Sequence, residues 1–190
     1  MNVFDFDKTI INYDSEYLFI PFVYRRYPRL FFKFLPKTVV GAFGYVKNRH
    51  AEQLKEALFS CLPYIPDIDG LLEQFWDENE WRVEDYYKKI RRYDDLVISA
   101  SPEFLIKPMC NRLYVEFLGT PMSVSTGNIQ GINCHGEEKV RRFRELYPYE
   151  EVDEFYSDSL SDTPMAKIAK KAFLIVNHEP VPWPEDILKQ

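Results

Sequence analysis

The sequence has little that would place it among secreted, zinc-binding or membrane-spanning proteins. It has only three cysteines, Cys61, Cys110 and Cys134, and their spacing fits neither a disulfide framework nor a zinc site. No basic segment and apolar stretch stand at its start, so we expect no signal peptide. No uncharged run approaches the roughly 18 residues that cross a bilayer. These absences favour a reduced, cytoplasmic compartment.

Negative charge is missing from one long segment, although the chain as a whole is acidic. The net charge of −6 argues against nucleic-acid binding. Residues 17–51 nevertheless contain no aspartate or glutamate. A surface with the bases and aromatic residues of 17–47 can hold an anionic substrate or lie on an anionic membrane. Alternatively, the aromatic residues are the core of a helical subdomain and the bases are simply solvated.

The most informative stretch is the N-terminal one. Val3, Phe4 and Phe6 predict a short buried strand, which ends in two carboxylates, Asp5 and Asp7. Side chains alternate along a strand, so the two carboxylates can project to one side, about 7 Å apart. Ligands of open α/β sheets bind at the carboxyl ends of strands, where this pair can serve a divalent cation and a phosphate. One carboxylate can act as a nucleophile and the other as a proton donor.

A second predicted strand, residues 96–99, leads directly into the start of a helix. We expect Ser101 to be the N-cap of that helix and Pro102 its first residue. A helix N-terminus offers backbone N–H groups and a positive dipole end, which suit phosphate. Ser99 and Ala100 at this junction are therefore candidate phosphate-binding residues, with the hydroxyl of Ser99 as an additional donor.

Two later segments continue the pattern. Lys139 lies in the first turn of a predicted helix, where a cation opposes the macrodipole, and a bound phosphate or carboxylate would explain it. An ordinary surface lysine is the alternative. A predicted strand at 152–156 is followed by a loop with two more carboxylates, Asp158 and Asp162.

The rest of the sequence predicts the domain organisation. Residues 13–93 have a helical pattern, in which Pro21, Pro28 and Pro36 should break the start into short helices. We therefore predict a core of residues 1–12 and 94–190 with a helical cap, 13–93, inserted in it. Further predictions are a helix to about 118, short strands at 122–125 and 129–133, and a mostly irregular tail from 178.

In their order along the chain, these segments resemble the motifs of the haloacid dehalogenase (HAD) superfamily, in its phosphoserine-phosphatase-like branch (subfamily IB). Residues 5–9, Asp-Phe-Asp-Lys-Thr, match the first motif, Asp-x-Asp-x-Thr, and residues 96–99 match the second. The third motif is matched by 136–139 and the fourth by 158–162. The resemblance covers essentially the whole chain.

The resemblance implies an α/β fold, a three-layer Rossmann-like parallel sheet with an inserted all-helical cap of the C1 type. It implies a Mg²⁺-dependent phosphomonoester hydrolase in which Asp5 is the nucleophile, forming an aspartyl-phosphate, and Asp7 is the acid and base. Mg²⁺ would be held by the side chains of Asp5 and Asp158 and by the backbone carbonyl of Asp7. The presence of an acid at position 7 favours a phosphatase over a dehalogenase.

The resemblance assigns supporting roles as well. Ser99 and Lys139 would bind the phosphate, and Asp162 would orient Lys139 and metal-bound water. Thr9 completes the first motif as a supporting residue. The fourth motif departs from the family pattern, because Ser157 and Ser161 stand where glycine and asparagine are common.

The substrate is less well defined. Asp14 falls near the glutamate, and Lys55 near the arginine, that grip the amino acid in phosphoserine phosphatases, so Asp14, Arg49 and Lys55 are candidates for substrate selection. The layout of the basic, aromatic segment, together with the runs at 134–139 and 156–159, also looks like that of bacterial phosphatidylglycerol-phosphate phosphatase C. The expected substrate is a small-molecule phosphomonoester. A lipid phosphate at a membrane surface and a catalytically silent scaffold are the alternatives.

Overall fold

A computed structural model describes residues 1–48 and 51–189. Its centre is a six-stranded sheet with the strand order β3-β2-β1-β4-β5-β6. The strands are β1 (Val3–Phe4), β2 (Leu96–Pro102), β3 (Glu116–Thr120), β4 (Val152–Ser157), β5 (Ala169–Val176) and β6 (Glu179–Pro182). The first five are parallel, and β6 runs antiparallel to β5. The predicted α/β class with a Rossmann-like parallel sheet is therefore confirmed.

Helices account for most of the remaining described chain. Those between β1 and β2 are α1 (Ser15–Arg26), α2 (Pro28–Asn48), α3 (Ala51–Phe59), α4 (Ile68–Asn79) and α5 (Asp85–Ile90). Those after β2 are α6 (Glu103–Arg112), α7 (Glu137–Leu146), α8 (Thr163–Ile168) and α9 (Glu185–Leu188). Within the described ranges, no helix is long and apolar enough to cross a membrane.

The two residues of β1 show how the layers form. Neighbouring strand residues point to opposite faces of a sheet. Phe4 belongs to a core cluster with side chains of α4, α5 and α6, and its ring stacks on Tyr156 at 4.6 Å between centroids. Val3 belongs to a second cluster with Phe143 of α7 and Met165 of α8. Helices therefore cover both faces of the sheet, which accounts for the apolar character of β1.

Strand register brings the carboxyl ends of three strands together. Phe4 pairs with Val97 of β2 and with Tyr156 of β4. The next residue, Asp5, donates its backbone N–H to the carbonyl of Tyr156 at 2.8 Å. The loops that follow β1 and β4 and the second half of β2 consequently meet at one edge of the sheet.

Two of the prolines expected to break helices lie inside them. Pro21 lies within α1, and Pro36 within α2, which runs for 21 residues. A proline in a helix interior costs about 3 kcal/mol, so packing has to offset it. The packing of α2 on α3 is close, since a Cβ added at Gly41 would lie 2.7 Å from the Cβ of Ala57. The predicted break at Pro28 is confirmed, since α1 ends at Arg26 and α2 begins at Pro28, but the breaks predicted at Pro21 and Pro36 were wrong because tertiary contacts outweigh the local preference.

Three boundaries after β2 also differ from the prediction. The helix expected to reach 118 ends at Arg112, and Tyr114 then takes a left-handed φ of 51°, which turns the chain into β3. The strands expected at 122–125 and 129–133 reduce to one bridge between Met122 and Ile129. The tail is more regular than predicted, because β6 pairs along the edge of β5 and α9 follows it.

A buried carboxyl at the start of β2 yields a first prediction, on stability. Asp95 is only 2% exposed, its Oδ2 accepts the N–H of Arg92 at 2.7 Å, and its Oδ1 has no partner in the described structure. Burial raises the pKa of Asp95 to about 6. Because the folded pKa lies above the unfolded one, the stability that protonated Asp95 contributes is lost as pH rises from about 4 through about 6, and it changes little at higher pH.

Asp95→Asn keeps the acceptor for Arg92 and removes the charge. We expect the free energy of unfolding of this variant, relative to wild type, to rise by about 2 kcal/mol between about pH 4 and pH 8. Urea unfolding of both proteins at the two pH values measures this difference. A difference that does not change with pH would contradict the assignment.

Candidate active site

A pocket of about 270 Å³ opens at the edge where the carboxyl ends of β1, β2 and β4 meet. Its walls include nearly all the candidate site residues that the sequence singles out: Asp5, Asp7, Asp14, Lys55, Ser99, Ala100, Lys139, Asp158 and Asp162. Thr9 lies behind this wall and is fully buried. Arg49, a third candidate for substrate selection, falls outside the described residues.

At the floor of the pocket a lysine joins two carboxylates. The Nζ of Lys139 donates to Oδ1 of Asp5 and to Oδ2 of Asp162, both at 2.7 Å. Lys139 is 1% exposed. Burial lowers its pKa, but the two carboxylates outweigh burial and raise the pKa above its usual value, so the ammonium stays charged. The unusual base in the first turn of α7 is thus explained by its carboxylate partners.

Asp5 lies at the centre of the group. Burial raises its pKa to about 7, and the neighbouring charge of Lys139 opposes that rise. The charges of Asp162 and Asp158 add to it. A carboxylate at this position therefore depends on a nearby cation to remain ionised at neutral pH.

Asp7 is held by two donors and has a different electrostatic environment. Its Oδ1 accepts the backbone N–H of Ser15 at 2.7 Å, and its Oδ2 accepts the hydroxyl of Ser101. Burial, reinforced by Asp14, raises the pKa of Asp7 to about 8. Asp7 can consequently carry a proton near neutral pH, as a proton donor must.

Ser101 itself is a residue whose role sequence reasoning missed. It does not cap α6, because β2 continues to Pro102 and the helix begins only at Glu103. Its backbone N–H instead donates to the hydroxyl of Ser99 at 3.0 Å, and its own hydroxyl faces Asp7. The available signal was strand periodicity, since residues 99 and 101 share a face if the strand continues.

The loops after β1 and β4 are tied to each other and to the floor. Oγ1 of Thr9 accepts the backbone N–H of Asp158 at 3.0 Å. The hydroxyl of Ser157, at the position where the family often has glycine, donates to Oδ2 of Asp162 at 2.8 Å. The second oxygen of Asp162 is buried without a partner among the described residues. Burial also raises the pKa of Asp158.

A second charged pair forms the side of the pocket nearest the helices α1 and α3. Nζ of Lys55 lies 2.8 Å from Oε1 of Glu16 and donates to the carbonyl of Ala100 at 2.7 Å. It also reaches Oδ1 of Asn133 at 3.3 Å. Burial raises the pKa of Glu16, and Lys55 opposes that rise. Lys55 therefore lies where the sequence placed it, with an unanticipated partner.

Asp14 borders the pocket, but one of its carboxylate oxygens is engaged in capping a helix. It is the N-cap of α1, and its Oδ1 accepts the N–H of Tyr17 at 3.2 Å. Ser15, which is also a residue type favoured at N-caps, is already the first residue of the helix. Glu16 is then the carboxylate that points into the pocket and meets Lys55, although Asp14 also borders the pocket.

The donor atoms of this pocket fit a hard divalent cation. The carboxylates of Asp5 and Asp158 line the same space, and one oxygen of Asp162 is unpartnered. In the described chain, no three histidine, cysteine or acidic side chains by themselves form a metal site. Mg²⁺ does not need three, because it is usually held by one or two carboxylates together with waters and phosphate oxygens. The residues present therefore suit Mg²⁺.

Comparison with known proteins gives a consistent result. The family model described as haloacid dehalogenase-like hydrolase matches residues 3–167. The protein CicA of Caulobacter vibrioides is 28% identical over 93% of this chain and 86% of its own.

Solved structures share the fold at low identity. A Bordetella pertussis protein of unknown function has a TM-score of 0.73 at 19% identity, over 92% of this chain and 88% of that one. A phosphoserine phosphohydrolase-like protein of Francisella tularensis has a TM-score of 0.57 at 15% identity, over 94% and 88%.

Proposed function

Because the chain belongs to the haloacid dehalogenase-like hydrolase family, we propose that it is a Mg²⁺-dependent phosphomonoester hydrolase acting through an aspartyl-phosphate. The observation that carries the proposal is the pairing of Asp5 with the buried Lys139, beside an Asp7 that can hold a proton. An ionised carboxylate next to a protonated one is what nucleophilic attack with general acid catalysis requires.

The two aspartates divide the reaction between them. In the first step a carboxylate oxygen of Asp5 attacks phosphorus, the bond from phosphorus to the leaving oxygen breaks, and Asp7 gives that oxygen its proton. In the second step Asp7 takes a proton from water as the water oxygen attacks phosphorus. The bond between phosphorus and Asp5 then breaks, which releases phosphate and restores both carboxyl groups.

The surrounding residues bind and orient. Lys139 favours the ionised form of Asp5 against the effect of burial and offers positive charge to the phosphoryl oxygens, while Ser99 presents a hydroxyl and Ala100 the backbone of the same strand. Asp162 and Ser157 hold Lys139 in place through the contacts described above. A magnesium ion bound by Asp5, Asp158 and the carbonyl of Asp7 would neutralise charge on the phosphate.

A silent scaffold is disfavoured by the same contacts. Lys139 and Asp162 are nearly fully buried, as is Asp5. Taking charges out of water costs several kcal/mol for each ion, and a binding protein without chemistry would have no use for such a group.

Substrate choice is assigned to the pair Glu16 and Lys55. This pair presents both signs of charge to a pocket of about 270 Å³, which suits a small polar phosphomonoester. A lipid phosphate is the second candidate, and an adjoining cavity of about 120 Å³ favours it. Besides Glu16, Ala51 and Lys55, that cavity is lined by Tyr17, Tyr45, Leu54 and Leu58.

Ser101 is expected to position Asp7. Ser101→Ala removes a hydrogen bond to a carboxyl group, so we expect kcat to fall by about 10- to 100-fold with little change in KM. Ser161→Ala is the matched control, since Ser161 is an exposed serine of the same pocket and contacts Ser159 rather than Asp7. Equal kcat values for the two variants would contradict this role.

The proposed function is tested by phosphate release from a panel of sugar, nucleotide, amino-acid and lipid phosphates, with Mg²⁺ and with EDTA. We expect turnover that EDTA abolishes and added Mg²⁺ restores. The best substrate decides between a small polar phosphomonoester and a lipid phosphate. Absence of Mg²⁺-dependent release across the whole panel would contradict the proposal.

A further inference from the structure

The helix α2 packs against the protein along one side only. Phe34 and Gly41 are buried against the neighbouring helices. The opposite side carries large apolar residues that are 40–77% exposed. We call this side the apolar face of α2, and it consists of Phe32, Leu35, Val39, Phe43 and Val46.

The apolar face is continuous. Its residues follow one another at intervals of three and four positions, which is the spacing of a single stripe along an α-helix. A helix of 21 residues is about 32 Å long, and the apolar face extends over most of that length. Contiguous apolar surface of this size on a water-exposed helix marks an interaction site.

A row of bases borders this face. Arg29, Lys33 and Lys37 follow one another at intervals of four, so they form one stripe beside the apolar one, which we call the basic flank. The sequence of α2 contains no acidic residue. Arg29 and Lys37 take part in no ion pair within the described part of the chain, whereas Arg25 and Arg26 of α1 are paired with Glu78.

The same helix reaches the neighbourhood of the active site. Tyr45, on α2, lines the cavity of about 120 Å³ described above. That cavity shares Tyr17 and Lys55 with the active-site pocket. Whatever covers α2 therefore lies close to the substrate-binding side of the protein.

We propose that α2 docks on an anionic lipid bilayer, with the apolar face at the boundary of headgroups and acyl chains and the basic flank among the headgroups. An exposed apolar stripe bordered by lysine and arginine is the pattern of helices that lie in the membrane interface. Bases near an anionic leaflet are attracted to it electrostatically. This proposal does not depend on the phosphatase chemistry.

A second copy of the chain is a poorer occupant of this face. A symmetric dimer would bring the basic flanks of two α2 helices near one another. No acidic residue between Tyr17 and Ala51 is available to neutralise them. Like charges brought together at an interface oppose association.

Vesicle sedimentation tests the proposal without any reference to catalysis. The protein is mixed with vesicles of phosphatidylcholine alone or with about one third phosphatidylglycerol, at low and at high salt. We expect binding to the anionic vesicles that weakens as salt is added, and much weaker binding to phosphatidylcholine alone. Absence of binding to anionic vesicles at low salt would overturn the proposal.

Two pairs of variants separate the apolar face from the basic flank. Val39→Asp with Phe43→Asp places charge in the apolar face, and its control is Tyr93→Asp with Tyr149→Asp, two highly exposed aromatic residues elsewhere. Arg29→Glu with Lys37→Glu reverses the flank, and its control is Lys107→Glu with Lys167→Glu. Circular dichroism checks that each variant folds.

We expect reversal of the two flank bases to weaken vesicle binding by at least about 25-fold, since each base near an anionic surface contributes about fivefold. The apolar-face variant should lose binding, and both controls should bind like wild type. If controls and test variants lose binding equally, the effect is one of net charge and the proposal fails. A dimer in sedimentation equilibrium that the apolar-face variant dissociates, without vesicle binding by wild type, would assign α2 to self-association instead.

Discussion

Replacing Asp5 by asparagine is expected to lower Mg²⁺-dependent phosphate release by at least about 1000-fold. The amide keeps the shape of the carboxyl group but cannot attack phosphorus. Lys139 keeps its second partner, because Asp162 accepts from it at 2.7 Å. The variant should therefore remain folded, and the loss should appear in kcat. Initial rates with the best substrate of the panel measure the effect.

The folding control for Asp5→Asn is its urea midpoint, which should lie close to that of wild type. Burial raises the pKa of Asp5 to about 7, so its ionised form is not a strong source of stability on its own. Activity that survives in the purified variant would show that Asp5 is not the nucleophile.

Replacing Lys139 by methionine is expected to affect both stability and activity. Methionine fills a similar volume but leaves Asp5 and Asp162 facing each other without their shared cation. Removing one partner of a buried charge group typically costs about 3–5 kcal/mol. Activity should fall at least about 100-fold, because the transition state loses a positive charge. Urea unfolding at pH 7.5 and initial rates measure the two effects.

A double variant separates these two consequences. Lys139→Met combined with Asp162→Asn removes one of the two opposed carboxylates, so it should recover part of the lost stability but none of the activity. Adding Asp162→Asn to Lys139→Met could instead lower the free energy of unfolding further, by as much as a separate buried substitution costs. In that case Lys139, Asp5 and Asp162 are not coupled as described. If Lys139→Met retains wild-type activity, the role given to Lys139 is wrong.

The sequence was sufficient to predict which side chains meet in the pocket, because the carboxyl ends of parallel strands lie at one edge of a sheet. Asp5 follows a strand that is apolar on both faces, and Asp158 follows another, so parallel pairing brings them to one edge. The position of Lys139 opposed its helix dipole, and the structure supplies carboxylates as the reason. Order along the chain and local preference were enough for these residues.

The sequence could not predict the residue contacts that depend on the exact boundaries of helices and strands. The helix α1 begins at Ser15, which makes Asp14 its N-cap and Glu16 the partner of Lys55. The strand β2 ends three positions later than predicted, at Pro102, so Ser101 is a strand residue that donates a hydrogen bond to Asp7 instead of a helix cap. Local sequence fixes such boundaries only to within a few residues, and a side chain changes its direction with each of them.

Long-range packing accounts for the remaining differences. The local sequence does not indicate that α2 continues through Pro36, because the packing that offsets the proline involves another helix, α3, where Gly41 of α2 lies close to Ala57. The edge strand β6 forms only because β5 offers it a partner. The exposure of the apolar face of α2 likewise depends on which side of the helix α3 covers.

The most direct test asks whether Asp5 carries the phosphoryl group. In Asp7→Asn, attack on para-nitrophenyl phosphate needs no acid because the leaving group is a good one, whereas hydrolysis of the intermediate loses its base. Sodium borohydride reduces an acyl phosphate to an alcohol, so trapped Asp5 would become homoserine in the tryptic peptide 1–8. We predict that mass spectrometry finds homoserine at position 5, dependent on substrate and Mg²⁺. An unmodified Asp5 in a variant that still releases a burst of nitrophenol would contradict the account.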